Sequence, residues 1–121
     1  MDIEASAPTD PRQTLRQGLQ HIAHLWHEHG AIMRLAVELS PTVTGIDQCW
    51  QSAITAVAHA TRQTMIRAGI PDDDSPTGAA AISRALVLMT ERSFYGASKG
   101  EVSLDVVAQT LTYVWLATLP D

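Results

Sequence analysis

The sequence predicts an all-α domain of five helices. Two observations predict it. Apolar residues recur at spacings of three and four in successive stretches. Glycine- and proline-bearing breakers separate those stretches, at His29-Gly30, Ser40-Pro41, Gly69-Ile70-Pro71 and Ser98-Lys99-Gly100. No convincing strand run, internal repeat or low-complexity tract competes with this pattern. A chain of 121 residues suits one domain, and a domain of that size buries roughly two-thirds of its unfolded surface.

Residues 1–10 read as a flexible leader, and 11–119 as the domain. Thr9 or Asp10 followed by Pro11 is a helix start, because proline suits the first helical position. Leu15, Leu19, Ile22 and Trp26 form the inward stripe of the first helix, which is expected to end at His29-Gly30 with the glycine as a left-handed cap. A short second helix carries Ile32, Leu35, Ala36 and Leu39 and stops at Ser40-Pro41. Asp47 is placed in the first turn of the third helix, opened by Trp50. Its stripe continues through Ile54, Val57, Ala58, Thr61 and Met65. Asp72-Asp73-Asp74-Ser75-Pro76 reads as a solvated loop, with Asp74 or Ser75 capping the fourth helix, about 77 to 97. The fifth begins with Ser103 as its cap and runs to Thr118. Both of these last helices are apolar on more than one side, which means burial on more than one side.

Charge excludes several functions. The net charge is −5, and the seven arginines and one lysine are scattered from Arg12 to Lys99. A nucleic-acid binder needs a basic face that neutralises phosphates, so no DNA binding is expected from these residues alone. Binding to a membrane surface lacks its basic face too. Charged residues are 17% against a usual value of about 25%, which suggests an apolar face covered by a partner. Cys49 is the single cysteine, which rules out an intrachain disulfide and a cysteine-rich zinc site. The start of the chain has no signal-peptide pattern and no stretch is long enough to span a bilayer. A cytoplasmic location is the expectation.

Three stretches carry a family resemblance. His24–Glu38, HLWHEHGAIMRLAVE, is similar to the helix–turn–helix opening the effector domain in one branch of TetR-family transcriptional repressors, the branch typified by the ethionamide-resistance repressor. Residues 85–119, ALVLMTERSFYGASKGEVSLDVVAQTLTYVWLATL, resemble the last two helices of that domain. Trp50 after the Pro-Thr-Val-Thr loop also fits. Thr90 stands where many relatives carry asparagine, so a hydroxyl replaces an amide there. The family's DNA-binding helix–turn–helix unit has no counterpart in these residues, so contact with DNA is expected only through a domain absent from this chain.

The resemblance implies a ligand-sensing and dimerisation domain. Its effector would be a small apolar molecule held between the helices. The matching positions are Leu15, Leu19, Ile22, Trp26, Trp50, Ile54, Val57, Met89, Thr90, Phe94 and Trp115. It also implies a homodimer in which the last two helices form a four-helix bundle, with Ile82, Leu86, Val106, Tyr113 and Leu116 at the interface. The two-faced fourth and fifth helices support that bundle independently. No cofactor and no catalytic group is expected: there is no Gly-x-Ser-x-Gly elbow, no phosphate-binding glycine loop, and no base beside Cys49.

Two alternatives remain open at this level. One is a dimerisation-only module whose apolar positions are simply filled core. The other is a metal-dependent helical enzyme. His21, His24 and Glu28 lie at spacings of three and four, which can put imidazoles and a carboxylate on one helix face. His27, His29 and His59 read as polar or solvated positions, and Glu91-Arg92 as a charge pair at the pocket rim.

Overall fold

The computed structural model describes residues 10–121, so all of the expected leader except Asp10 lies outside the described residues. Among those residues the regular elements are helices: α1 (Pro11–Leu39), α2 (Thr44–Arg67), α3 (Ala79–Ser98) and α4 (Leu104–Ala117). The expected count of five becomes four because the first two join. The Asp10 carboxylate accepts the Arg12 backbone N–H at 3.1 Å and starts α1 with Pro11 behind it. At His29 the backbone leaves helical geometry (φ −126°, ψ 23°), then resumes it. The left-handed cap foreseen at Gly30 does not form. Positive φ among the described residues is confined to Gly69 and Gly100. A glycine cap ends a helix by turning φ positive. Without that turn the chain kinks and continues.

The other boundaries follow local chemistry. Asp47 lies in the first turn of α2, and Trp50 lies one turn further in than expected. Gly69 (φ 103°) turns the chain away from α2. Neither Asp74 nor Ser75 caps α3; the cap position is Gly78. Instead, Ser75 donates its hydroxyl and its backbone N–H to the Asp73 carboxylate, at 2.6 and 3.0 Å. Those two bonds hold the Asp73 carboxyl below its ordinary value, the hydroxyl contributing most. The curled loop lies so close to the start of α3 that a Cβ on Gly78 would strike the Asp73 carbonyl oxygen. Ser103 caps α4, its hydroxyl accepting from the Val106 N–H at 3.4 Å.

Helices α1 and α3 form the central pair, each touching all three others, while α2 and α4 do not meet. Their shared core includes Leu15, Leu19, Met65, Leu86, Phe94 and Leu111. Leu86 therefore belongs to the chain's own interior and is not free for a dimer partner, because its side of α3 faces the central packing. Val106 (52% exposed) and Tyr113 (75%) stand out from α4. Ile82 and Leu116 are half-buried.

Polar ties fix the helix ends. Arg12 donates to the Leu116 carbonyl at 3.3 Å, and Arg34 to the Ser98 carbonyl at 3.2 Å. The Tyr95 hydroxyl donates to the Glu38 carboxylate at 2.8 Å, joining α3 to α1. That bond, and secondarily burial, raises the Tyr95 pKa above its ordinary 10.0. The folded state thus favours the neutral phenol. Its contribution is complete below the ordinary value and is lost as pH rises through the raised one. An absorbance titration of tyrosinate is expected to show one step above pH 10.0 that Tyr95→Phe removes. A high step that survives the substitution would mean the bond to Glu38 is not its source.

Candidate ligand cavity

A cavity of about 130 Å³ lies where the four helices converge. Helix α1 contributes Ile22, Leu25, Trp26 and Met33; α2 contributes Trp50, Ala53, Ile54 and Val57; α3 contributes Val87, Thr90 and Glu91; α4 contributes Trp115. The helical repeat explains the set. Positions 22, 25, 26 and 33 share one face of α1, and 50, 53, 54 and 57 one face of α2.

Aromatic rings shape the walls. Trp26 meets Trp50 nearly at right angles (centroids 6.2 Å apart, 84° between planes). Phe94 backs Trp26 from the core side, stacked at 6.3 Å and 16°. Edge-to-face and offset-stacked contacts of this kind are the preferred aromatic geometries.

Two indole N–H groups are satisfied inside the protein. Trp115 Nε1 donates to the Thr90 hydroxyl at 2.9 Å, and that hydroxyl donates to the Leu86 carbonyl at 2.7 Å. Trp50 Nε1 donates to Glu91 Oε1 at 3.1 Å. Glu91 therefore does not form the charge pair with Arg92 expected from their adjacency. The Arg92 guanidinium lies 5.2 Å from the centre of the Tyr95 ring. Consecutive residues on a helix point about 100° apart, which sends the two side chains in different directions.

Several expected ligand positions fall together and others do not. Ile22, Trp26, Trp50, Ile54, Val57, Thr90 and Trp115 line the cavity. Leu15, Leu19 and Phe94 are buried in the core away from its wall, and Met89 packs half-buried against that core. Periodicity reports which side of a helix faces inward but not at what height. Leu15 lies roughly 16 Å along α1 from Trp26 at 1.5 Å per residue. Leu25, Met33, Ala53, Val87 and Glu91 were not foreseen. Extending each stripe by three residues from Ile22, Trp50 and Thr90 would have found Leu25, Ala53 and Val87, and Met33 lies two turns on from Trp26. Glu91 had no such signal, since a charged residue beside a threonine reads as solvated.

Other concavities differ from this one in lining and breadth. An apolar groove of about 320 Å³ runs outside Trp50, lined by Ile32, Leu35, Ala36, Leu39, Ile46 and Cys49 among others. Trp50 borders both spaces. A larger concavity, about 780 Å³, is an open trough between α1 and α4 with Arg12, Arg16 and Asp105 among its lining residues. Its breadth and charged members suit a protein surface better than an apolar ligand.

The histidine alternative finds no support in the geometry. His21, His24 and Glu28 are exposed, and among the described residues no group of three His, Cys, Asp or Glu side chains is placed to hold a metal ion. Among the same residues no helix is long and apolar enough to cross a membrane. Compared with protein-family models, curated proteins and solved structures, the chain matches none.

Proposed function

We propose that this chain is the ligand-sensing and dimerisation domain of a TetR-type transcriptional regulator, acting in the cytoplasm and binding a small apolar molecule between its helices. The observation that carries the reading is the cavity walled by Trp26, Trp50 and Trp115 within an all-helical fold. A well-formed apolar pocket with few polar groups is the default ligand site of a small domain. An engineered apolar cavity of comparable size, about 150 Å³, takes up benzene. Ligand binding would act by favouring one of two dimer arrangements. DNA contact, on this reading, belongs to a helix–turn–helix unit that these residues do not include. Nothing in the reading calls for catalysis or a cofactor.

A second reading has its own support. The cavity is small against the roughly 300–1,000 Å³ of ordinary ligand sites, which suits a dimerisation module with a nearly filled core.

Tryptophan fluorescence and melting temperature, followed while titrating compact apolar amides and esters, test the choice. The sensor reading expects a saturable spectral change and a raised melting point. Ligand at a hundred times its dissociation constant adds about 2.7 kcal/mol of apparent stability. Val57→Trp, which fills the cavity, should abolish the spectral change. A response equal in both proteins would place binding elsewhere, and no response in either would favour the filled module.

A further inference from the structure

We propose that the cavity receives a methylated organic ammonium ion, its head among Trp26, Trp50 and Trp115 and its charge beside Glu91. This rests on the reading of the cavity as a ligand site and replaces its neutral apolar guest with a cationic one.

Four observations converge on that chemistry. First, Trp26 and Trp50 meet nearly perpendicularly at 6.2 Å, with Trp115 also on the cavity wall. Tryptophan faces attract cations through the ring quadrupole more strongly than other aromatics do. Second, Glu91 is part of the cavity wall, its carboxylate accepting the Trp50 indole N–H through Oε1. The ion pairs among the described residues are Arg62–Asp72 and Lys99–Glu101, so no basic side chain of the protein pairs with Glu91. Its neighbour Arg92 is engaged with Tyr95 instead. A carboxylate without a counter-charge at an apolar wall favours a cationic guest and disfavours an anionic one.

Third, the Thr90 hydroxyl accepts from Trp115 and donates its proton to the Leu86 carbonyl. It has no proton left for a neutral polar guest. Apart from Glu91 the remaining walls are chiefly apolar. A primary ammonium would surrender three strong hydrogen bonds to water with too few acceptors to replace them. Methylated nitrogen carries its charge without those donors. Fourth, the cavity's 130 Å³ suits a compact head group.

Choline and its uncharged carbon isostere, 3,3-dimethylbutan-1-ol, share a shape and differ in charge. Titrating each against the protein by tryptophan fluorescence isolates the charge. Wild-type protein is expected to bind choline at least about tenfold more tightly than the isostere, about 1.4 kcal/mol. Glu91→Gln keeps an acceptor for Trp50 and removes the charge. It should bring the two affinities within about threefold of each other, with the isostere's affinity unchanged. Melting curves establish that the variant is folded, and the wild-type preference stands as a test without it. If the isostere binds as well as choline, and Val57→Trp abolishes both, the ligand cavity stands and the ammonium proposal is overturned. If neither compound binds wild-type protein, the proposal is overturned, while apolar amides and esters still test the cavity separately.

Discussion

Replacing Phe94 by alanine is expected to cost about 3–5 kcal/mol, the range for removing a buried aromatic ring. Phe94 is fully buried on α3 and stacks on Trp26 of α1, at the contact between the two central helices. Removing the ring withdraws apolar area from the core and leaves a void that surrounding helices close only partly. Small domains have only about 5–15 kcal/mol in total, so the variant should melt far below the wild type or fail to fold. Phe94→Leu, which keeps most of the volume, should recover much of the loss. Urea denaturation of the three proteins measures this directly. A cost below about 1 kcal/mol for Phe94→Ala would mean that α1 and α3 do not pack through this ring. Phe94 thus holds the back of Trp26, while the opposite side of the Trp26–Trp50 pair bounds the cavity. Phe94 itself lies in the core and not on the cavity wall.

The second large effect concerns association. Val106 and Tyr113 project from α4, and Leu88 from α3 is 43% exposed. Helices α3 and α4 are in contact, and α4 is not covered by α2. Large apolar side chains left outside a small domain are candidate anchors for a partner. On the proposed function that partner is a second copy. Sedimentation velocity is expected to find a dimer in the wild type and a monomer in the Val106→Asp, Tyr113→Asp double variant. Two anchors of this kind should weaken association roughly a hundredfold or more. Because both side chains are exposed within the chain, the monomeric variant should keep its melting cooperativity. A double variant that stays dimeric would move the interface to another face, such as the groove bearing Ile32 and Leu35. A monomeric wild type at high concentration would remove dimerisation from the proposed function.

The charge of the domain also bears on its partners. The net charge is −5, and the basic residues are scattered along the chain. Glu91 is the member of that acidic set with a place in the cavity wall. Glu91 and Arg92 engage Trp50 and Tyr95 respectively, because consecutive residues on a helix point about 100° apart.

By itself the sequence determined the helical class, most of the helix boundaries and the inward stripe of most helical stretches; past His29 it did not, since Ile32 and Leu35 stand exposed while Met33 and Val37 pack inward. Those features arise from local chemistry. Proline at a first turn, Asp10 and Ser103 as caps, and Gly69 with its positive φ act within a few residues of themselves. The tertiary structure alone decided three things. It decided that the chain bends at His29 and does not stop there, because Gly30 keeps its φ negative. It decided which inward residues meet at one height: Trp26, Trp50, Thr90 and Trp115 at the cavity, Leu15 and Leu19 elsewhere in the core. And it decided that Glu91 faces Trp50 while Leu86 faces inward. Periodicity fixes an angle about a helix axis, but height and partner depend on how whole helices slide and cross, and that is set by packing between residues far apart in the chain.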